Sequence, residues 1–143
     1  RVLFRSASRE MTYTPFHQDP IYEGGGWMWL ADGQKLWTLA DFEHTDDLLD
    51  PVGRNLRDDP PASLLHREDY RMWGRLRQAW IEGGDFLYFP PGCSHRVQTY
   101  RRCIGLGGYA VLPTDQERRK KIVPWYLERG LDPAGGIWRG DRT

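Results

Sequence analysis

Tyr13-Thr14-Pro15-Phe16-His17-Gln18-Asp19, answered much later by Gly84-Asp85-Phe86-Leu87-Tyr88-Phe89-Pro90-Pro91-Gly92-Cys93-Ser94-His95, decides how this chain reads. The first run is aromatic and β-branched, so it reads as a strand, and Pro15 confines that strand to an edge or a bulge. Residues i and i+2 of a strand project to one side, so His17 and Asp19 share a face. A His-x-Asp triplet alone is most often a surface pair. In the second run, a short apolar strand at 86–89 and a Pro90-Pro91-Gly92 turn lead into another strand that opens at His95. His95 supplies a third ligand. Two imidazoles and one carboxylate can hold Fe(II) while leaving positions open for a cosubstrate and O2.

Between these runs, Trp27-Met28-Trp29-Leu30 and Lys35-Leu36-Trp37-Thr38-Leu39 flank Asp32-Gly33, a pair favoured in tight turns, and together they read as a β-hairpin. Residues 41–66 form a polar, irregular insertion with many Asp and Pro; His44 and His66 lie there as solvated side chains. Tyr70, Trp73, Leu76 and Trp80 have roughly helical spacing, so 67–80 is expected to be helical. Beyond Gly83-Gly84, strands are expected at 86–89, 95–100 and 103–112. A helix over about 114–129 would be capped by Thr114 and kinked or ended by Pro124, with a loose tail over 130–143. Several short strands with Gly and Pro punctuation make this an all-β core of sandwich or jelly-roll type.

The 143 residues suit one domain. At 39% hydrophobic and 13% aromatic, the composition excludes disorder over the whole chain. Net charge is zero, so no general field draws the chain to nucleic acid or an acidic membrane. The basic stretch Arg118–Lys121 reads as a solvated helix face. Two cysteines, Cys93 and Cys103, make no disulfide framework and favour an intracellular, reducing setting, nucleus or cytoplasm. No apolar run approaches the ~20 residues of a membrane span. The chain begins at Arg1, so it is expected to be a piece of a longer protein.

Taken together and in order, Tyr13–Asp19, Gly33-Gln34-Lys35-Leu36-Trp37, Gly84–Val97 and Cys103-Ile104-Gly105-Leu106-Gly107-Gly108-Tyr109 resemble the JmjC family. The last run is similar to the strand after the distal His in its KDM2/KDM7-like lysine demethylase branch. The resemblance covers about residues 11–112. It implies a double-stranded β-helix (jelly roll, cupin-like) with a helical or irregular insertion and a C-terminal helix. It further implies an Fe(II)- and 2-oxoglutarate-dependent dioxygenase. His17, Asp19 and His95 match the iron ligands, while Lys35 and Thr14 match the residues that hold the far carboxylate of 2-oxoglutarate. Without the resemblance, Lys35 reads as a solvated hairpin lysine. Arg101 and Arg102 are rivals for the anchoring role, ranked lower because Tyr100-Arg101-Arg102 reads as an exposed strand connection.

The implied reaction oxidises an aliphatic C–H of a protein or peptide, possible substrates including methyl-lysine of a histone tail. The products would be succinate, CO2 and a hydroxylated or N-demethylated side chain. Phe16, Trp27, Trp29 and Trp37 would surround the site. Four departures stand out: Pro15 replaces an acidic residue, the His-x-Asp to Lys35 interval is about one residue longer, Cys93 stands where Trp is frequent, and Met28 stands where the nearest branch has Tyr. The first two leave the iron site intact and the last two reshape the pocket. The family's strands before residue 11 are expected to be largely absent. Two alternatives stay open, a metal-dependent cupin that works without 2-oxoglutarate and a non-catalytic JmjC-like binding module.

Overall fold

Two long antiparallel strands organise the molecule, a computed structural model that describes residues 3–50, 52, 53, 55, 56 and 76–137. β3 (Gly25–Ala40) and β6 (Ser94–Ala110) pair from Gly25 against Ala110 to Ala40 against Ser94. Around one half of this ribbon, β1 (Leu3–Ser8) lies along Cys103–Gly108 and β5 (Phe86–Phe89) along Gly26–Trp29. Around the other, β2 (Tyr13–His17) pairs with β6 near His95, and β4 (Leu76–Glu82) pairs with β3 from Gln34 to Ala40. The local orders are therefore β1-β6-β3-β5 and β2-β6-β3-β4, all antiparallel. This is the expected jelly-roll core. Twist and bulging along β3 and β6 turn the two halves toward each other and enclose an apolar interior.

A bulge in the middle of β3 sets which residues face inward. Met28 and Leu30 are buried before it, Lys35 and Trp37 after it, while Ala31 and Asp32 are exposed. The register against β6 shifts between Leu30 and Lys35. The inward set thus changes from even to odd positions, which turns Lys35 inside. Gly33 makes this possible. Its φ is +105°, and a Cβ there would collide with the Cys103 thiol and the Arg102 carbonyl oxygen.

Asp32-Gly33 is therefore not the turn of a hairpin, as the sequence suggests. The positive φ that a tight turn needs is also what a bulge needs, and β6 pairs with both flanks. For the same reason, the two strands expected at 95–100 and 103–112 are one strand, β6. The helix expected over 67–80 is corrected where it can be seen: Leu76 and Trp80 belong to strand β4, and 67–75 lie outside the described residues. β1 extends the β core to Leu3, ahead of the expected start at residue 11. Only a 3-10 turn (Phe42–His44) and α1 (Thr45–Leu48) are helical in the described part of the insertion. His44 is half-buried beside Asp47, and His66 lies outside the described residues.

α2 (Pro113–Glu128) closes one end. Its start is held by Asp115 rather than Thr114. The buried carboxylate accepts from the Leu112 N–H at 2.8 Å and the Tyr88 hydroxyl at 2.7 Å. Pro113 occupies the first turn, where its missing N–H leaves no bond unmade. Pro124 does not end the helix. The carbonyl that it leaves unpaired belongs to exposed Lys120, within reach of water. Ile122 and Tyr126 pack against Phe16, Ile21, Leu48 and Ile137 in one core, while Met28, Leu30, Trp37, Phe89 and Val97 form a second inside the β-roll. The segment after α2 is not a loose tail as far as residue 137: Ile137 is 1% exposed and bridges to Gln18. Residues 138–143 lie outside the described residues. Among the described residues, no helix is long and apolar enough to cross a membrane.

Candidate metal centre

His17 ends β2 and is the direct cross-strand partner of His95 at the start of β6. Their ring centroids are 4.1 Å apart. Asp19, two residues on, faces both: its Oδ1 lies 3.6 Å from His17 Nε2 and its Oδ2 3.7 Å from His95 Nε2. The candidate ligand atoms of all three residues fall within 4.8 Å of one another. Donors ~2.1 Å from a common ion would stand ~3 Å apart, so each Asp19–imidazole distance is within about 1 Å of what a seated metal requires.

The backbone selects which nitrogen is offered. His17 Nδ1 lies 2.8 Å from the Pro15 carbonyl oxygen and His95 Nδ1 lies 3.1 Å from that of Cys93. A carbonyl only accepts, so Nδ1 carries the proton and donates in both rings. In the neutral ring Nε2 then carries the lone pair, on the side that faces Asp19. Burial, and then the charge of His17, hold the His95 imidazole well below its ordinary pKa and keep it neutral. Burial raises the Asp19 carboxyl, opposed by His17 and by a hydrogen bond donated by the Tyr109 hydroxyl. Two imidazoles that turn Nε2 inward and a desolvated carboxylate are a donor set that a divalent cation satisfies, and first-row metals such as Fe(II) take it. The residues fit the group.

The centre opens into a cavity of about 260 Å³ whose walls include Thr14, Trp27, Met28, Lys35, Val97 and Tyr109. That is just below the ~300–1,000 Å³ common for ligand pockets, room for a small acid. Lys35 enters this wall with only 6% exposure. Its Nζ donates to Ser8 Oγ at 2.8 Å and Thr99 Oγ1 at 3.2 Å, and among the described residues no carboxylate pairs with it. Burial lowers its pKa, with Cys103 opposing.

The structure thus gathers His17, Asp19, His95, Lys35 and Thr14 around one cavity. Thr14 sits on its exposed rim, while Ser8 and Thr99 are the hydroxyls bonded to Lys35. Thr99 was discoverable from the sequence, since it follows His95 by two strand periods; Ser8 carried no such signal. Arg101 points outward and pairs with Asp32 at 2.7 Å, and Arg102 is exposed, so neither reaches the cavity. Of the four aromatic residues expected around the site, Trp27 and Trp37 line it, Phe16 belongs to the other core, and Trp29 is partly exposed on the outside. Burial pushes the Cys93 thiol up to about 12, which keeps it protonated and inert.

A family model described as JmjC domain matches residues 29–117, more than half of the chain. The chain belongs to the JmjC-domain family. The matched span of this JmjC domain takes in Lys35 and His95; His17 and Asp19 precede it and join the site through the β2–β6 pairing. No curated protein matches the sequence. Among solved structures, one similar to this JmjC domain is the crystal structure of hydroquinone 1,2-dioxygenase from Sphingomonas sp. TTNP3 with 4-hydroxybenzoate bound. It shares 13% identity at a TM-score of 0.47, covering 75% of this chain; the chain spans 57% of that one.

Proposed function

We propose that this JmjC domain is an Fe(II)- and 2-oxoglutarate-dependent dioxygenase acting on a protein or peptide side chain. The observation that carries the proposal is one cavity holding both a two-His, one-carboxylate centre and a buried ammonium with no carboxylate partner among the described residues. His17, Asp19 and His95 would hold the metal. Lys35, with the Thr99 hydroxyl beside it and Thr14 on the rim, would hold the far carboxylate of 2-oxoglutarate. Iron held there would supply activation of O2 for converting an aliphatic C–H to C–OH, coupled to conversion of 2-oxoglutarate to succinate and CO2.

The chain itself orients and excludes. The Pro15 and Cys93 carbonyls fix the imidazoles, the Tyr109 hydroxyl steadies Asp19, and Trp37 and Val97 keep the inner wall dry. Burying Lys35 strengthens its pull on a carboxylate, because few waters compete. A cupin that works without 2-oxoglutarate has no evident use for that buried charge. The KDM2/KDM7-like resemblance makes methylated lysine of a histone-like tail the first substrate to screen, in nucleus or cytoplasm, with no direct role for nucleic acid or membrane. Aerobic incubation with Fe(II), 2-oxoglutarate and a methyl-lysine peptide library tests the proposal. Succinate release with gain of an oxygen or loss of a methylene is expected. Folded, iron-loaded protein that forms no succinate with any peptide or alone would contradict it.

A further inference from the structure

Gln18 lies between the two ligands of the His-x-Asp arm and is 0% exposed. Extended backbone sends its side chain away from the cavity that His17 and Asp19 face. There its amide is nearly saturated. Both Nε2 hydrogens are donated, one to Thr45 Oγ1 at 2.8 Å and one to Ser94 Oγ at 2.8 Å, and Oε1 accepts from the Tyr126 hydroxyl. Ser94, also 0% exposed, is the residue immediately before His95. One buried amide therefore ties the arm carrying His17 and Asp19 to the strand carrying His95, and ties both to α2 through Tyr126.

The backbone repeats the connection. Gln18 N–H donates to the Ile137 carbonyl at 2.8 Å and Ile137 N–H to the Gln18 carbonyl at 3.0 Å. Gly136, at φ +71°, lets that segment approach closely, since a Cβ there would collide with the Gln18 carbonyl oxygen. An amide set among Phe16, Leu48 and Tyr126 is expensive unless every partner is met, so it specifies one arrangement rather than adding generic cohesion.

We propose that Gln18 is a positioning residue for the metal centre: it clasps the two ligand-bearing segments in register through Ser94 and makes that register depend on the seating of α2 through Tyr126. This rests on the metal reading given above. Thr45 is the internal control, because it accepts from the same amide but stands on α1, which carries no ligand.

Co(II) titrated anaerobically into wild type, Ser94→Ala, Thr45→Ala and Tyr126→Phe tests the proposal, read by calorimetry and by the visible ligand-field bands, with urea unfolding in parallel. Ser94→Ala is expected to bind Co(II) about 10–100-fold more weakly with altered bands, the range seen when support behind a ligand is lost. Thr45→Ala is expected to lose comparable stability but keep the wild-type affinity and bands. Equal cobalt affinities in Ser94→Ala and Thr45→Ala would overturn the proposal. If Ser94→Ala fails to fold, Tyr126→Phe, which keeps the ring and removes only the O–H, carries the same comparison with Thr45→Ala. A folded wild type that takes up no Co(II) would instead overturn the metal reading, and this inference with it.

Discussion

Replacing Lys35 by Met separates what the ammonium does for a ligand from what it does to the fold. Met has similar length and no charge, so it can fill the same space beside Ser8 and Thr99. Lys35 is 6% exposed, and its ammonium rests on two neutral hydroxyls with no carboxylate partner among the described residues. Removing one partner of a buried charge pair costs about 2–5 kcal/mol, so 2-oxoglutarate should bind roughly 30-fold to several thousand-fold more weakly in Lys35→Met. Without ligand, the sign reverses. Exchanging buried charge for a well-packed apolar chain is neutral or stabilising by up to roughly 4 kcal/mol, a rise in the unfolding midpoint of at most about 15 °C. Ser8 and Thr99 keep each other as partners, their hydroxyl oxygens being 3.4 Å apart.

The same residue fixes the pH dependence. Burial depresses the folded-state pKa of Lys35 below the ordinary lysine range. Between the folded and unfolded values, the unfolded chain binds more protons, so stability rises with pH there. The penalty is complete below the folded pKa and is lifted as pH climbs toward the unfolded one. The stability gap between Lys35→Met and wild type should therefore be widest at neutral pH and narrow under alkaline conditions. Chemical unfolding at both pH values and calorimetric titration with 2-oxoglutarate on Mn(II)-loaded protein check the account. A variant less stable than wild type at neutral pH, with unchanged 2-oxoglutarate affinity, would refute it.

Gly33→Ala should lose at least ~1–3 kcal/mol in urea unfolding, from the left-handed φ and the collision with Cys103, and the two halves of β3 should slip in register. An unchanged midpoint would mean that the bulge is not fixed there. Arg101→Ala breaks an ion pair whose side chains are 63% and 70% exposed, so the urea midpoint should barely move and 2-oxoglutarate binding should hold steady. A marked loss of binding would favour Arg101, the lower-ranked rival, over Lys35 as the anchor. Ile137→Ala, at a site 1% exposed, should lose about 2–5 kcal/mol, measurable by thermal or urea unfolding, whereas a loose tail would tolerate it.

The candidate metal centre was legible only in context: the strand period sets His17 and Asp19 on one face, but the triplet alone reads as a surface pair, and the ordered match to the JmjC family, with the strand-turn-strand run Gly84–His95, singled it out. Lys35 was legible only through family resemblance. Its inward direction depends on a one-residue bulge, and Asp32-Gly33 serves a bulge and a hairpin equally well until the partner strand is known. Leu76 and Trp80 fit helical spacing, yet β3 offers them an unpaired edge, and a ladder with a long-range partner outweighs a weak local period. Gln18 gave no signal, because its importance lies in hydroxyls from Thr45, Ser94 and Tyr126 that only the fold brings together. The glycines and charges after Gly130 conceal Ile137, one apolar residue whose burial anchors that segment.

The most direct measurement is anaerobic visible absorption of the apo protein during addition of Fe(II) and then 2-oxoglutarate, with His17→Ala and Lys35→Ala alongside. A weak charge-transfer band is expected that requires both additions, is absent in His17→Ala, and needs far more 2-oxoglutarate in Lys35→Ala. A folded protein that binds Fe(II) yet develops no band at saturating 2-oxoglutarate would contradict the proposed function.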